Sequence, residues 1–337
     1  MVETLISPRA RALIGHQNYI LTGALTASDE VPGLGVGNLR DEQASPSVAW
    51  QTPSGVLAAS LLIDAGEAKE WRLFGLHNTN LSPSARVRWR VGSVANMVGG
   101  VVFNSGFIPA DVRPGYRQTV FSKPAPTSAE AEGPFYIVTE EGHRLITSEG
   151  RSLISALGPS RGILTEVASQ ILTESGRPLI TEGTGRGRIA TEGTIGRYCL
   201  CEIEDYGNTQ GFLNIPLAYA GGAWEPGRQI SSDSAWGVDV SVDEVVTRGG
   251  AEYPVTRFNR RRWDFTIQAL PDAEVWPWLA EVMRVARTNT NILFVPFPAG
   301  NDTNYEAVFG RMTWQDVTFP HPTKTYRGVR ARVTERL

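Results

Sequence analysis

The 337-residue sequence predicts a mainly β protein, a β-sandwich with an inserted β-repeat followed by a small α+β domain. Three observations carry that expectation. Thirty-five glycines and 21 prolines, with few long helical patterns, indicate many short strands joined by turns. A two-residue alternation of apolar and polar side chains recurs, most clearly over residues 85–91. A helical period of three and four residues shows after residue 272, in the last third of the chain.

Length and composition set the outer bounds. A chain of this size can hold two domains, each with its own core. A net charge of −3 gives no chain-wide basic field to draw nucleic acid or an anionic membrane. No apolar run approaches the roughly 18 residues that span a bilayer. The opening residues lack the basic start and apolar core of a signal peptide, so a soluble protein without an export signal is expected.

Taken in order, residues 1–30 mix short apolar runs with polar turns. Residues 37–50 form a turn-rich polar loop that ends on Trp50. It either closes one end of the sandwich or reaches toward a ligand. Strands are expected over residues 55–64, ended by Ala65 and Gly66, over 71–76, and over 85–91. In the last of these, Ala85, Val87, Trp89 and Val91 alternate with Arg86, Arg88 and Arg90, so one face is buried and three arginines occupy the other. Further strands are expected near 101–103 and 116–121, and residues 123–133 read as a linker.

Next comes an internal repeat, an apolar-Thr/Ser unit whose hydroxyl residue falls at 139, 147, 155, 165, 173, 181 and 191. Each unit couples a β-prone triplet to a Gly-bearing turn, and the regular spacing favours short hairpins or a stacked ladder over the alternative, a flexible low-complexity linker. Beyond it, residues 197–204 and 212–220 read as strands, separated by the polar turn 205–211 and closed by residues 221–226, which include Trp224.

From about residue 228 the texture changes. Trp263, Phe265, Ile267 and Ala269 alternate with polar residues. Asp272 can then cap a helix whose apolar stripe is Val275, Trp278, Leu279, Val282, Val285 and Ala286. Pro277 implies a kink in that helix or its true start. Strands are expected at 292–295, 307–317 and 327–334.

Two sets of segments together resemble the galactose-binding-like jelly roll of tailed-phage proteins. The first comprises residues 36–41 and 47–50 (VGNLRD and SVAW), with 61–66 (LLIDAG) and 74–82 (FGLHNTNLS). The second comprises residues 198–215 (YCLCEIEDYGNTQGFLNI) and 220–226 (AGGAWEP). The region 229–337 looks like the C-terminal part of the same phage proteins, and the Leu-Ile-Thr-Glu-x-Gly repeat is similar to segments of tail-tip and baseplate components. The resemblance implies a jelly-roll sandwich from residues 15–122 plus 196–228, a repeat insertion at 123–195 and a C-terminal α+β assembly domain at 229–337. It also implies a structural virion protein of the distal tail or baseplate, made in the host cytoplasm. Such a protein would oligomerise and contact other tail proteins. The alternative it leaves open is a carbohydrate-binding module that recognises a host surface glycan.

No nucleophile elbow, phosphate loop or zinc-protease motif occurs, so no catalytic residue and no cofactor is expected. Gly33, Gly35 and Gly37 form a turn without nucleotide-binding context. Cys199 and Cys201, two apart on one strand, point the same way and cannot readily bridge each other. His16, His77, His143 and His321 have no metal-ligand spacing. A sugar-binding loop needs planar hydrogen-bonding groups beside an aromatic face. Arg40, Asp41, Asn78, Asn80, Tyr206 and Asn208 are the best candidates, although for each one taken singly the favoured reading is a turn residue bonded to its own backbone. Trp50 and Trp224 are expected to plug the sandwich, and the run Arg260, Arg261 and Arg262 to form an interface or a solvated edge.

Overall fold

The computed structural model describes residues 11–98, 100–112, 119–122, 135–136, 154–155, 193–246, 252–298, 302–318 and 326–336. The strands of the first half are β1 (Leu13–Asn18), β2 (Ala24–Ala27), β3 (Trp50–Gln51), β4 (Ala58–Trp71), β5 (Leu73–His77), β6 (Arg86–Gly92), β7 (Val101–Asn104), β8 (Ile108–Pro109) and β9 (Thr119–Ser122). Then follow β10 (Phe135–Tyr136), β11 (Ile154–Ser155), β12 (Thr194–Glu204), β13 (Asn214–Ile215) and β14 (Leu217–Trp224). The last are β15 (Ala235–Val246), β16 (Glu252–Pro271), β17 (Ile292–Val295), β18 (Val308–Thr318) and β19 (Tyr326–Glu335). Residues 1–123 and 193–337 belong to one compact unit and 124–192 to a second. In the second unit β10 pairs antiparallel with β11; the repeat otherwise lies outside the described residues.

The fold is mainly β, a jelly-roll sandwich followed by an α+β region. One sheet of the sandwich runs β2-β4-β12-β6-β7, with β8 also on β6. Its rows explain why it packs. Cys201 stands between Leu61 on β4 and Trp89 on β6, and Cys199 between Ile63 and Val91, all of them buried. The outward rows pair Arg88 with Glu202 and Arg86 with Glu204, while Arg90, opposite Leu200, reaches diagonally to Glu202, so all three expected arginines meet a carboxylate. Burial alone would raise the Glu202 pKa, but bonds from Arg88 and the charge of Arg90 hold it below the usual value.

Across the core stand β5 and β14, which bring in Phe74, Leu76, Ala218 and Ala220. Phe74 stacks on Trp89 with ring centroids 5.0 Å apart. Trp50 closes this core at 1% exposure, and its Nε1 donates to the Asp29 carbonyl at 2.9 Å. Strand β4 is longer than expected. It passes through Gly66, whose φ of +80° suits a residue without Cβ, and ends only at Trp71.

β1, β14 and β5, with β9 at the edge, are also one end of a nine-stranded sheet ordered β15-β16-β19-β18-β17-β1-β14-β5-β9. The sheet continues from the sandwich through β1 and β17 into the strands of the last hundred residues. Trp224 therefore departs from expectation. It packs with Ile14, Phe265, Phe294 and Val282 in a second core instead of plugging the sandwich. It ends a strand that pairs with β1, and its alternation directs it to the face the later helix covers.

That helix also differs from expectation. It starts at Asp272, but Asp272 does not cap it: Pro271 holds the cap position, and the Asp272 carboxylate accepts from Arg327 Nε at 2.6 Å. Residues Val275–Leu279, around Pro277, form a wide π turn before the regular α-helix Ala280–Arg287. Proline supplies no N–H, and a wide turn tolerates that gap. Val275, Leu279, Val282 and Val285 are buried, while Trp278 is 43% exposed.

Candidate functional site

The sandwich loops that carry the candidate residues are built from hydrogen bonds between side chains and backbone. Asn80 donates through Nδ2 to Gln210 Oε1 and to the Phe212 carbonyl, each at 2.8 Å, and its Oδ1 accepts from Asn214 N at 2.7 Å. Asn208, almost fully buried, donates to the carbonyls of Asn80 at 3.1 Å and Phe212 at 3.2 Å, and accepts from Gln210 N at 2.9 Å. Asp205 is wholly buried beside them; its carboxylate accepts from Ser82 N at 2.7 Å and from the Ser82 hydroxyl. Loops 78–84 and 205–211 are thus cross-braced, because each buried backbone group needs a partner and these short polar side chains supply it.

Tyr206 sits in this braced turn with 72% of its surface exposed. Its neighbour Gly207 lies so close to Ser84 that an added Cβ would overlap the Ser84 hydroxyl. The structure therefore brings Asn80, Tyr206 and Asn208 together, with the two asparagines occupied in holding the loops and Tyr206 turned to solvent.

Arg40 and Asp41 belong to another loop, to which Asn78 is tied. The stretch from residue 36 opens with a 3-10 turn, Val36–Arg40, whose Leu39 is buried. Arg40 is exposed and donates through Nη2 to the Gly23 carbonyl at 2.7 Å. Asp41 accepts from Gln43 N at 3.0 Å, a local turn bond. Asn78 adopts a left-handed φ of 55° and donates to the Ala44 carbonyl at 2.9 Å, tying this loop to the end of β5. Asn214 Nδ2 adds a second tie, to the Pro46 carbonyl at 3.1 Å.

Sequence reasoning did not single out Asp205 or Ser82 as the centre of the brace. An aspartate directly after a strand, with serines clustered in a distant loop, is the only signal, and it is a weak one. The arginine run was expected at an interface or solvated edge, yet Arg261 is 6% exposed and pairs with Glu335. Alternation on β16 points it inward between its two neighbours.

Cys199 and Cys201 are free and buried, and burial pushes both thiols well above their usual pKa. Among the described residues no group of three or more His, Cys, Asp or Glu side chains is placed to hold a metal ion. No helix of the described residues is long and apolar enough to cross a membrane.

The strand order and two-sheet core define the class: a jelly-roll β-sandwich protein. No family model matches the chain, and no curated protein matches it in sequence. Among solved structures, the lectin domain of lectinolysin complexed with Lewis B antigen aligns at a TM-score of 0.33 and 10% identity, over 62% of this chain and 98% of that one. A fucose-binding module of Streptococcus pneumoniae aligns at 0.31 and 9% identity, over 60% and 96%. A GH29 fucosidase of Ruminococcus gnavus in complex with fucose aligns at 0.32 and 8% identity, over 62% of this chain but only 27% of that one. The fold class rests on the strand order and registers of this chain itself.

Proposed function

We propose that this protein is a carbohydrate-binding sandwich that recognises a surface glycan without turning it over. The observation that carries this reading is the exposed Tyr206 ring on a loop braced by Asp205, Asn208 and Asn80. An aromatic face offers a sugar its C–H surface, and a loop already fixed in place loses little entropy on binding. Arg40 and Asp41 add exposed and half-exposed polar groups on the neighbouring loop. The test is a glycan array probed with the full chain and with Tyr206→Ala. Binding by the parent that the variant loses, with unchanged melting temperature, supports the reading. A parent that binds no glycan, or a variant that binds equally well, removes it.

A second reading has its own observation. On β15, the edge strand of the nine-stranded sheet, Trp236, Val238, Val240 and Val242 alternate along one face with 44%, 42%, 56% and 47% exposure. An apolar edge of that length favours pairing with a second copy of the chain. It supports the structural role that the resemblance implies, an oligomeric component of a phage tail tip or baseplate that meets other tail proteins. Sedimentation of the parent against Val240→Glu tests it. Concentration-dependent assembly that the variant abolishes supports this reading, and a parent that stays monomeric at high concentration rules it out.

A further inference from the structure

The outer face of the nine-stranded sheet gathers positive charge at a place remote in sequence from the sandwich candidates. Arg311 on β18 stands opposite Thr334 on β19, and Thr334 opposite Arg262 on β16. Side chains two residues along a strand share a face, so Arg260 and Arg336 lie one step further along that row. The bond from Arg336 N to the Phe309 carbonyl, 3.1 Å, continues the ladder past the end of β19. Gln43, from the loop that closes the sandwich, meets them there. Together with Glu335, these residues line a cavity of about 290 Å³.

The charges in that cavity are unbalanced. Among the described lining residues Glu335 alone carries a carboxylate, and Arg261 already engages it: Oε1 accepts from Arg261 Nε and Oε2 from Arg261 N, both at 2.9 Å. Elsewhere on the sheets, Arg86, Arg88, Arg90, Arg197, Arg262 and Arg332 face carboxylates across short distances. Among the described residues, Arg260, Arg311 and Arg336 form no ion pair. Arg336 Nε donates to Asn291 Oδ1 at 3.1 Å, and the Arg260 guanidinium lies 4.2 Å from the centre of the Phe258 ring. Arg260 Nε is buried and makes no hydrogen bond among the described residues, a state that calls for a missing partner. Burial first, and the charge of Arg311 next, hold the Arg336 pKa below its usual value; Glu42 pulls the other way with less effect.

We propose that this cavity binds a tetrahedral oxyanion group, sulfate or phosphate, through Arg260, Arg311 and Arg336, with Gln43 and Thr334 adding neutral hydrogen bonds. A guanidinium presents its N–H groups as a planar fork that matches two oxygens of such a group, and three forks suit a doubly charged one. The space exceeds what a bare ion needs, so the group can arrive free or as an ester on a small sugar. The site is separate from Tyr206 and does not depend on the glycan reading.

Calorimetric titration of the full chain tests it, with sodium sulfate and sodium phosphate against sodium chloride at matched ionic strength. Sulfate stabilises proteins by exclusion as well, so saturable heat, and not a rise in melting temperature, is the readout. Arg311 is exposed, and Arg311→Gln leaves the fold intact while weakening the affinity about tenfold or more, the effect of losing one charge-assisted contact. Arg284→Gln, on the helix, leaves it unchanged. A second arm compares galactose 6-sulfate and glucose 6-phosphate with the bare ions and with galactose. Tighter binding of an ester identifies a sugar-borne group, and binding of the bare ions alone identifies a free-ion site. The proposal is overturned if neither ion nor ester gives saturable heat beyond chloride, or if Arg311→Gln binds as the parent does. Tyr206→Ala must leave this titration unchanged even where it abolishes glycan binding.

Discussion

Arg261 on β16 and Glu335 at the end of β19 form a buried ion pair, with side chains 7% and 10% exposed. The pair also fixes backbone, since Glu335 Oε2 accepts from Arg261 N and Arg261 Nη1 donates to the Tyr305 carbonyl at 3.0 Å. Replacing Glu335 with Gln leaves a guanidinium buried without its counter-charge. We expect a loss of about 3–5 kcal/mol in urea unfolding at neutral pH. Burial opposes ionisation of Glu335, but the bonds and charge of Arg261 dominate and hold its pKa below the usual carboxylate value. The folded state therefore prefers the ionised form. This stabilisation is complete above the unfolded-state pKa and disappears as pH falls through the folded one. Glu335→Gln should accordingly lose most of its deficit in acid, a comparison of unfolding free energies at neutral and acid pH.

His16 has the corresponding behaviour for a base. It is 4% exposed, and burial, the largest influence, lowers its pKa below 6.5. At pH values between the folded pKa and 6.5 the unfolded chain takes up a proton that the folded chain refuses. Stability thus rises with pH across that window and is lost on acidification. His16→Asn should flatten the slope of unfolding free energy against pH there, as measured by urea titrations at closely spaced pH values. An unchanged slope would exclude His16 as its source.

Trp50 fills the end of the sandwich core with its indole N–H satisfied by Asp29. Trp50→Ala removes a fully buried aromatic and leaves a cavity, at a cost of about 3–5 kcal/mol. Trp50→Phe keeps most of the volume and should cost less. Equal losses for the two variants would show that the hydrogen bond, not the packing, dominates.

Asn208 supplies two donors and one acceptor to the brace behind Tyr206. Asn208→Ala takes the donor from the half-buried Asn80 carbonyl, while the Phe212 carbonyl keeps Asn80 Nδ2, and should cost about 1–3 kcal/mol. Faster amide exchange at residues 80–82 and 206–212, with the exchange of β12 unchanged, would localise the effect. Uniform acceleration across the sandwich would instead show that the loops and the core unfold together.

The alternation of Val87, Trp89 and Val91 with three arginines was legible because a strand repeats every two residues, whatever lies across from it. Cys199 and Cys201 were legible for the same reason. Trp224 was misread because alternation says that a side chain points inward, but not toward which of two cores, and Arg261 because its partner Glu335 lies 74 positions away. Trp278 was misread because the wide turn around Pro277 leaves it at the surface, while Val275, Leu279, Val282 and Val285 keep the expected buried stripe. Strand β15 went unanticipated. Its apolar positions Trp236, Val238, Val240 and Val242 do alternate, but they lie exposed on an edge strand, not against a core.

By itself, then, the sequence determined the mainly β class and which face of most strands is apolar, since both follow from neighbours a few residues apart. The candidate loops were also named in advance, because turn chemistry is local. Only the tertiary structure decided that Asn80 and Asn208 are spent on bracing while Tyr206 is free. It alone gathered Gln43, Arg260, Arg311 and Arg336 around one cavity. Those residues are separated by 217, 51 and 25 positions, read from their numbers; strand register across β16, β18 and β19 brings the three arginines together, and the loop that closes the sandwich adds Gln43. Register is set by pairings between distant segments, which no local pattern records.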